Sequence, residues 1–281
     1  MSRRLSTAVL VAVLLVGLAF LLYPTVSDWW NSFHRSRAVA NYVANVSNID
    51  DSNYEKMLEE ARAYNSALRE RGNARQMSQQ ESEEYESMLS VTDDGIMAYV
   101  EIPKINVLLP IYHGTDDTVL QTSIGHVVGT SLPVGGEGTH CVISGHRGLP
   151  SARLFTDLDK LVEGDTFTIN VLDEVLTYEV DQIHIVLPND LSDLQIVDGK
   201  DYCTLVTCTP YGINTHRLLV RGHRVQTKYV SNVRVTADAL QVDVRLVAVC
   251  IAVPLLVLLA LIAWIVPRKN RTTRFGSEET V

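Results

Sequence analysis

A single cysteine, Cys208, closes an apolar run in TLVTCTPYGINTHRLLVRGHR (residues 204–224), and Arg217 opens the run that follows the turn. A thiol at a strand end is open to a ligand, whereas one in mid-strand is packed. It becomes a nucleophile only as thiolate, which a helix N-terminus or a nearby cation promotes. No helix is expected after Cys208, so a cation has to serve, and Arg217 is the nearest that stays charged. If residues 202–208 and 216–225 pair as a hairpin, Arg217 stands beside Cys208. A guanidinium there faces the oxyanion that develops in acyl transfer, an effect worth about 10²–10³-fold per donor. Arg221 shares the face of Arg217 but lies further along the strand.

Acyl transfer also needs a proton carrier, and histidine is the usual one. Among eight histidines, His146 follows the apolar strand CVISG and so occupies the same strand-end position as Cys208. His113 and His126 also lie at element ends, and His184 alternates within a strand. The bland alternatives are a buried structural cysteine at 208, a surface ion pair at Arg217 and hydrogen-bonded structural histidines. A zinc site from His140, Cys141, His146, Cys203 and Cys208 lacks the compact spacing of structural sites. LPVGGEG lacks the Lys-Ser/Thr of a phosphate-binding loop.

These residues need strands to hold them. From Asp93 onward, GIMAYVEIP, INVLLPIYHG, THCVISGH, DTFTINVL, VLTYEVDQIHIVLP, DYCTLVTCT and HRLLVRGHRV are short runs rich in Val, Ile and Thr, separated by Gly, Pro, Asn and Asp. That pattern predicts a mainly β barrel or sandwich over residues 93–228, in which only LQTSIGHVV and SARLFTDLDKL read as helical turns. Residues 28–92 are helix-leaning, with apolar positions at mixed three and four spacing. Within them RGNARQMSQQESEEYES carries no apolar stripe and reads as a loop or loosely held segment.

The two ends are different. Leu5–Tyr23 is uncharged, preceded by Arg3 and Arg4 and closed by Pro24. Leu246–Val266 is also uncharged and is followed by Arg268, Lys269, Arg271 and Arg274. Each is long enough to cross about 30 Å of hydrocarbon. The basic flanks put both termini in the cytoplasm and the middle outside. The expected organisation is 1–27 tip and N-terminal transmembrane helix, 28–92 helical extension and possible lid, 93–228 barrel, 229–244 connector, 245–267 C-terminal transmembrane helix and 268–281 cytoplasmic tail. A cleaved signal peptide is the alternative for the first span, but LAFLLYPTVS offers no clear cleavage site.

The net charge of −9 is unevenly spread: residues 24–244 hold 17 basic and 31 acidic side chains, a difference of −14. So acidic a surface makes a poor nucleic-acid ligand. Of four cysteines, Cys250 lies in the second span, leaving Cys141, Cys203 and Cys208 outside, an odd count with at least one free thiol. Cys203 and Cys208 point to opposite faces of one strand, and Cys141 reads as a small buried hydrophobe.

TLVTC at 204–208 resembles the TLxTC signature of sortases, the cysteine transpeptidases of Gram-positive surfaces. YGINTHRLLVRG at 211–222 resembles the stretch after that cysteine in class C, pilin-polymerising members. GHVVGTSLPVGG at 125–136, ISGHRG at 143–148 with LF at 154–155, and DGIMAYVEIPKINVLLPIYHGT at 94–115 are similar to further family landmarks. The resemblance spans roughly residues 38–228. It implies an eight-stranded sortase-type β-barrel without a cofactor. Cys208 would be the nucleophile, His146 the proton donor and acceptor, and Arg217 the oxyanion stabiliser.

It also implies partners: LPXTG-like sorting signals, a pilin lysine amine as acceptor, and the membrane, with a second span as class C members typically have. Many class C enzymes carry a lid with an Asp-Pro-aromatic tripeptide, which residues 65–90 lack. Three other readings arise from the same residues: a housekeeping-type sortase anchoring proteins to the cell wall, a papain-like peptidase, and a non-catalytic tethered surface domain. The papain-like reading conflicts with a thiol placed on a strand.

Overall fold

The computed structural model describes residues 3–71, 78–92 and 94–227. The chain divides into two units, Met1–Leu18 with Val235–Val281, and Ala19–Arg234. The connector, second span and tail expected over 229–281 lie outside the described residues.

Three helices precede the barrel. Helix α1 spans Arg3–Val46, and its segment Val13–Val46, with mean hydropathy 1.4, is the one helix among the described residues apolar and long enough to cross a membrane. It does not stop at Pro24, which sits inside it. One lost amide donor is tolerated when good helix formers continue on both sides.

Helix α2, Asp51–Arg71, buries Leu58, Ala61, Asn65 and Leu68, one stripe at the helical period. Asn65 exchanges hydrogen bonds with the backbone of Leu132, donating to its carbonyl at 3.1 Å and accepting from its N–H at 2.7 Å. Part of the segment read as loosely held is helix α3, Gln79–Ser87. A capping box starts it, Glu81 N–H to Ser78 Oγ at 3.3 Å and Ser78 N–H to Glu81 Oε2 at 2.8 Å. Tyr85 then anchors it in the core, 1% exposed.

The strands are β1 Ile96–Ile102, β2 Val107–His113, β3 Ile124–His126, β4 Thr139–Gly145, β5 Thr166–Val171, β6 Glu174–Val186, β7 Asp201–Thr209 and β8 His216–Val225. They close a barrel in the order β1-β2-β3-β4-β7-β8-β6-β5. The β2–β3 and β4–β7 pairs are parallel and the others antiparallel. All seven expected runs are strands. The eighth, β3, falls in LQTSIGHVV, expected to be helical. Only Asp117–Leu120 just before it forms a short helix, α4.

The interior is packed with Ile143, Phe155, Phe167, Tyr178, Leu205 and Val220. Outside β1, Val39 and Tyr42 of α1 pack on Ile96 and Tyr99, so the helical extension covers a barrel wall. That cover explains why β1 is apolar on both faces.

Candidate active site

The site is built on the end of a three-strand ribbon, β4–β7–β8. Alternation along β7 sends Cys203, Leu205 and Thr207 to the interior and Thr204, Val206 and Cys208 to the other face, where Val206 packs with Val142 of β4 and Leu219 of β8. Cys208 is the last residue of that outer row before the turn, and it is partly exposed.

Across the antiparallel β7–β8 ladder, the register partner of Cys208 is Arg217. One Arg217 nitrogen, Nη1, donates to the carbonyls of Asn214 and His216 at 3.3 and 3.1 Å. No carboxylate pairs with this guanidinium among the described residues, so its remaining N–H groups are available to a ligand. Arg221 is committed elsewhere: it binds both Asp181 oxygens at 3.0 and 3.1 Å and lies 4.3 Å from the Tyr202 ring centre. Of the two arginines, Arg217 is the one opposite Cys208 in the ladder.

His146 arrives from the other side of β7. The parallel β4–β7 register ends at Ser144 opposite Val206. Thr207 Oγ1 then donates to the Gly145 carbonyl at 2.8 Å. His146 follows directly after Gly145, where β4 ends alongside the Cys208 end of β7. The backbone there is held by the Phe155 N–H, which donates to the His146 carbonyl at 3.1 Å. Gly145 is required by space: a Cβ would lie 2.6 Å from Ile124 Cγ2 and 2.7 Å from Phe155 Cδ2.

The other candidate histidines serve the scaffold. His126 is fully buried, with Tyr85 Oη 2.9 Å from Nδ1 and the Ser131 carbonyl 2.9 Å from Nε2. The two ring nitrogens of His113 lie 2.7 and 3.2 Å from the Met88 and Gly95 carbonyls, and the neutral ring donates to one of them. His184 is an exposed partner of Asp193 at 2.8 Å. His140 pins the β6–β7 connection to the barrel, with Gln195 O 2.9 Å from Nδ1 and Thr204 Oγ1 2.7 Å from Nε2. Burial lowers the basicity of both His113 and His140.

Around the open end lie apolar side chains that expose much of their surface: Ile185 and Leu187 at the end of β6, Leu191 beyond it, and Tyr211 and Ile213 in the β7–β8 turn. Arg147 sits 5.7 Å from the Tyr211 ring centre and pairs with Asp159, tying the loop after His146 to the turn after Cys208. Thr207 and this Arg147–Tyr211 contact were not singled out from the sequence. An inward-facing threonine in an apolar strand demands a hydrogen-bond partner, which is the signal that would have found Thr207.

The register sets Arg217 opposite Cys208 and ends β4 one residue before His146, with exposed apolar side chains on β6 and in the β7–β8 turn. That arrangement suits nucleophilic attack on a carbonyl with charge stabilisation and proton transfer.

Comparison with known proteins points the same way. Residues 100–225 match the Sortase domain family. Sortase C1 of Streptococcus agalactiae is 57% identical, with a TM-score of 0.66 over 68% of this chain and 98% of that one. Sortase C of Streptococcus pneumoniae, described in connection with pilin substrate specificity, is 46% identical, with a TM-score of 0.62 over 68% of this chain and 97% of that one. Sortase D of Bacillus subtilis is 33% identical over 129 residues, 45% of this chain. The chain spans 62% of that relative's length and 54% of sortase A from S. agalactiae.

Proposed function

The chain belongs to the sortase family, and from that premise we propose that it is a membrane-anchored cysteine transpeptidase of class C type that joins pilin subunits. The observation that carries this reading is the register pairing of Cys208 with an Arg217 free of carboxylate partners, next to the strand end that bears His146.

The Cys208 thiolate adds to the Thr–Gly carbonyl of an LPXTG-like sorting signal, and Arg217 donates to the oxyanion. The carbon–nitrogen bond then breaks, His146 in its protonated form delivers a proton to the departing glycine amine, and a thioester remains on Cys208. A pilin lysine amine attacks the thioester and passes a proton back to His146. It displaces the thiolate and leaves an isopeptide bond. No cofactor enters these steps. The apolar rim of Ile185, Leu187, Leu191 and Ile213 suits the leucine and proline of such a signal.

The apolar helix α1 anchors the protein, and the basic residues outside both uncharged runs put the termini in the cytoplasm and the barrel outside. A substrate held by its own membrane segment then meets the enzyme at raised effective concentration. The decisive experiment incubates the full chain with a sorting-signal peptide, with and without a lysine-containing pilin. Detection of a Cys208 thioester and an amine-dependent isopeptide product supports the proposal. Hydrolysis unaffected by the pilin indicates a peptidase, and cleavage retained by Cys208→Ala refutes the assignment.

A further inference from the structure

Cys141 and Cys203 take no part in that chemistry, yet they are direct partners in the parallel β4–β7 ladder. Both are free thiols, 3% and 0% exposed. Neighbouring strands lie about 4.8 Å apart. That falls within the roughly 4.4–6.8 Å Cα separation that a disulfide bridges. Cys208 cannot compete for Cys203, because the two point to opposite faces of β7.

Burial pushes the Cys141 thiol up, and the neighbouring Cys203 and His126 outweigh it and draw it down. Burial and the neighbouring Cys141 push Cys203 well up. Loss of one proton from the pair sets a thiolate against a thiol, the arrangement from which thiol–disulfide exchange proceeds.

We propose that Cys141 and Cys203 are a redox pair whose reversible disulfide staples β4 to β7 beneath the candidate catalytic residues. The Cys141 thiolate attacks a small-molecule disulfide such as oxidised glutathione, forming a mixed disulfide and releasing one thiolate. Cys203, giving up its proton, then attacks the Cys141 sulfur and expels the second thiol. The protein loses two protons and two electrons, and the oxidant, taking them up, becomes two thiols. Each cysteine stands five positions before a candidate catalytic residue, Cys203 before Cys208 on β7 and Cys141 of β4 before His146, the residue just past that strand. The bond thus ties together the two strands that must stay in register for His146 to lie beside Cys208.

The test uses the full chain with Cys208→Ala, in detergent micelles. It is treated with oxidised glutathione both when folded and during refolding from denaturant, then alkylated and digested with trypsin. The expected product joins peptide 105–147 to peptide 201–217, two hydrogen masses lighter than the pair, and dithiothreitol separates them. Adding Cys141→Ser or Cys203→Ser abolishes it. In the oxidised form the melting temperature rises by several degrees. Recovery of both peptides fully alkylated under both regimes, or joined only to glutathione or to Cys250, overturns the proposal. The readout is a covalent mass in a variant lacking the proposed nucleophile, so it stands or falls separately from transpeptidation.

Discussion

Cys208 and Arg217 are register partners across the β7–β8 ladder, and Arg217 carries no carboxylate partner among the described residues. A structural arginine at a strand end would be expected to pair as Arg221 does with Asp181. Arg217→Lys keeps the charge but loses the planar fork of donors. It should lower kcat/KM for sorting-signal cleavage by about 10²–10³-fold, the usual effect of removing an oxyanion donor. The melting temperature should stay within a degree or two. Single-turnover kinetics with a fluorogenic peptide measures this, and unchanged kinetics would remove Arg217 from the mechanism.

The hydrogen bond from Thr207 to the Gly145 carbonyl continues the β4–β7 contact past its last register pair. Thr207→Val keeps the shape and leaves a buried carbonyl unpaired, which costs about 1–3 kcal/mol. Stability should fall by that amount in urea melts. Since His146 is the next residue, kcat should fall while KM for the peptide changes little. Gly145→Ala should be more severe, because its Cβ would meet Ile124 and Phe155 at 2.6 and 2.7 Å. Overpacking of that kind costs about 1–3 kcal/mol and moves the strand end that carries the imidazole.

How much of this was legible in sequence depends on how local each feature is. Seven strands announce themselves by Val, Ile and Thr runs between turn residues, but β3 has only three residues and cannot show an alternation. Helix α3 has one buried apolar residue, Tyr85, so no stripe exists to read. The Cys208–Arg217 contact was readable because one turn joins the two strands. The approach of His146 was not, since β5 and β6 intervene between β4 and β7 and only the closed barrel makes them neighbours. The same holds for Cys141 and Cys203, whose sequence separation conceals a direct pairing.

His113 and His140 are held neutral in the folded protein, where burial lowers their basicity. The unfolded chain, with imidazoles near pH 6.5, takes up protons first as pH falls. Their contribution is complete above about pH 6.5 and is lost below it, with a slope of up to roughly 1.4 kcal/mol per pH unit for each group. Thermal melts between pH 7.5 and 5 should show falling stability. His140→Gln should flatten the dependence while loosening the β6–β7 connection that His140 pins at Gln195. A melting temperature independent of pH across that window would contradict the assignment.

Among the described residues, Tyr85 is the buried side chain of α3 and seats it on the barrel. Its ring lies in the core, its hydroxyl is 2.9 Å from His126 Nδ1, and it accepts from the Gly114 N–H at 3.1 Å. Burial pushes the phenol far above its ordinary range, so the group remains a neutral donor throughout the physiological range. Tyr85→Phe keeps the ring and strands the His126 nitrogen and the Gly114 amide, at about 1–3 kcal/mol per buried group. The loss should be concentrated locally. Hydrogen exchange should accelerate across residues 79–87 and at Gly114 while β7 and β8 keep their protection. Uniform acceleration over the whole barrel would instead make Tyr85 part of the global core, with α3 no separate element.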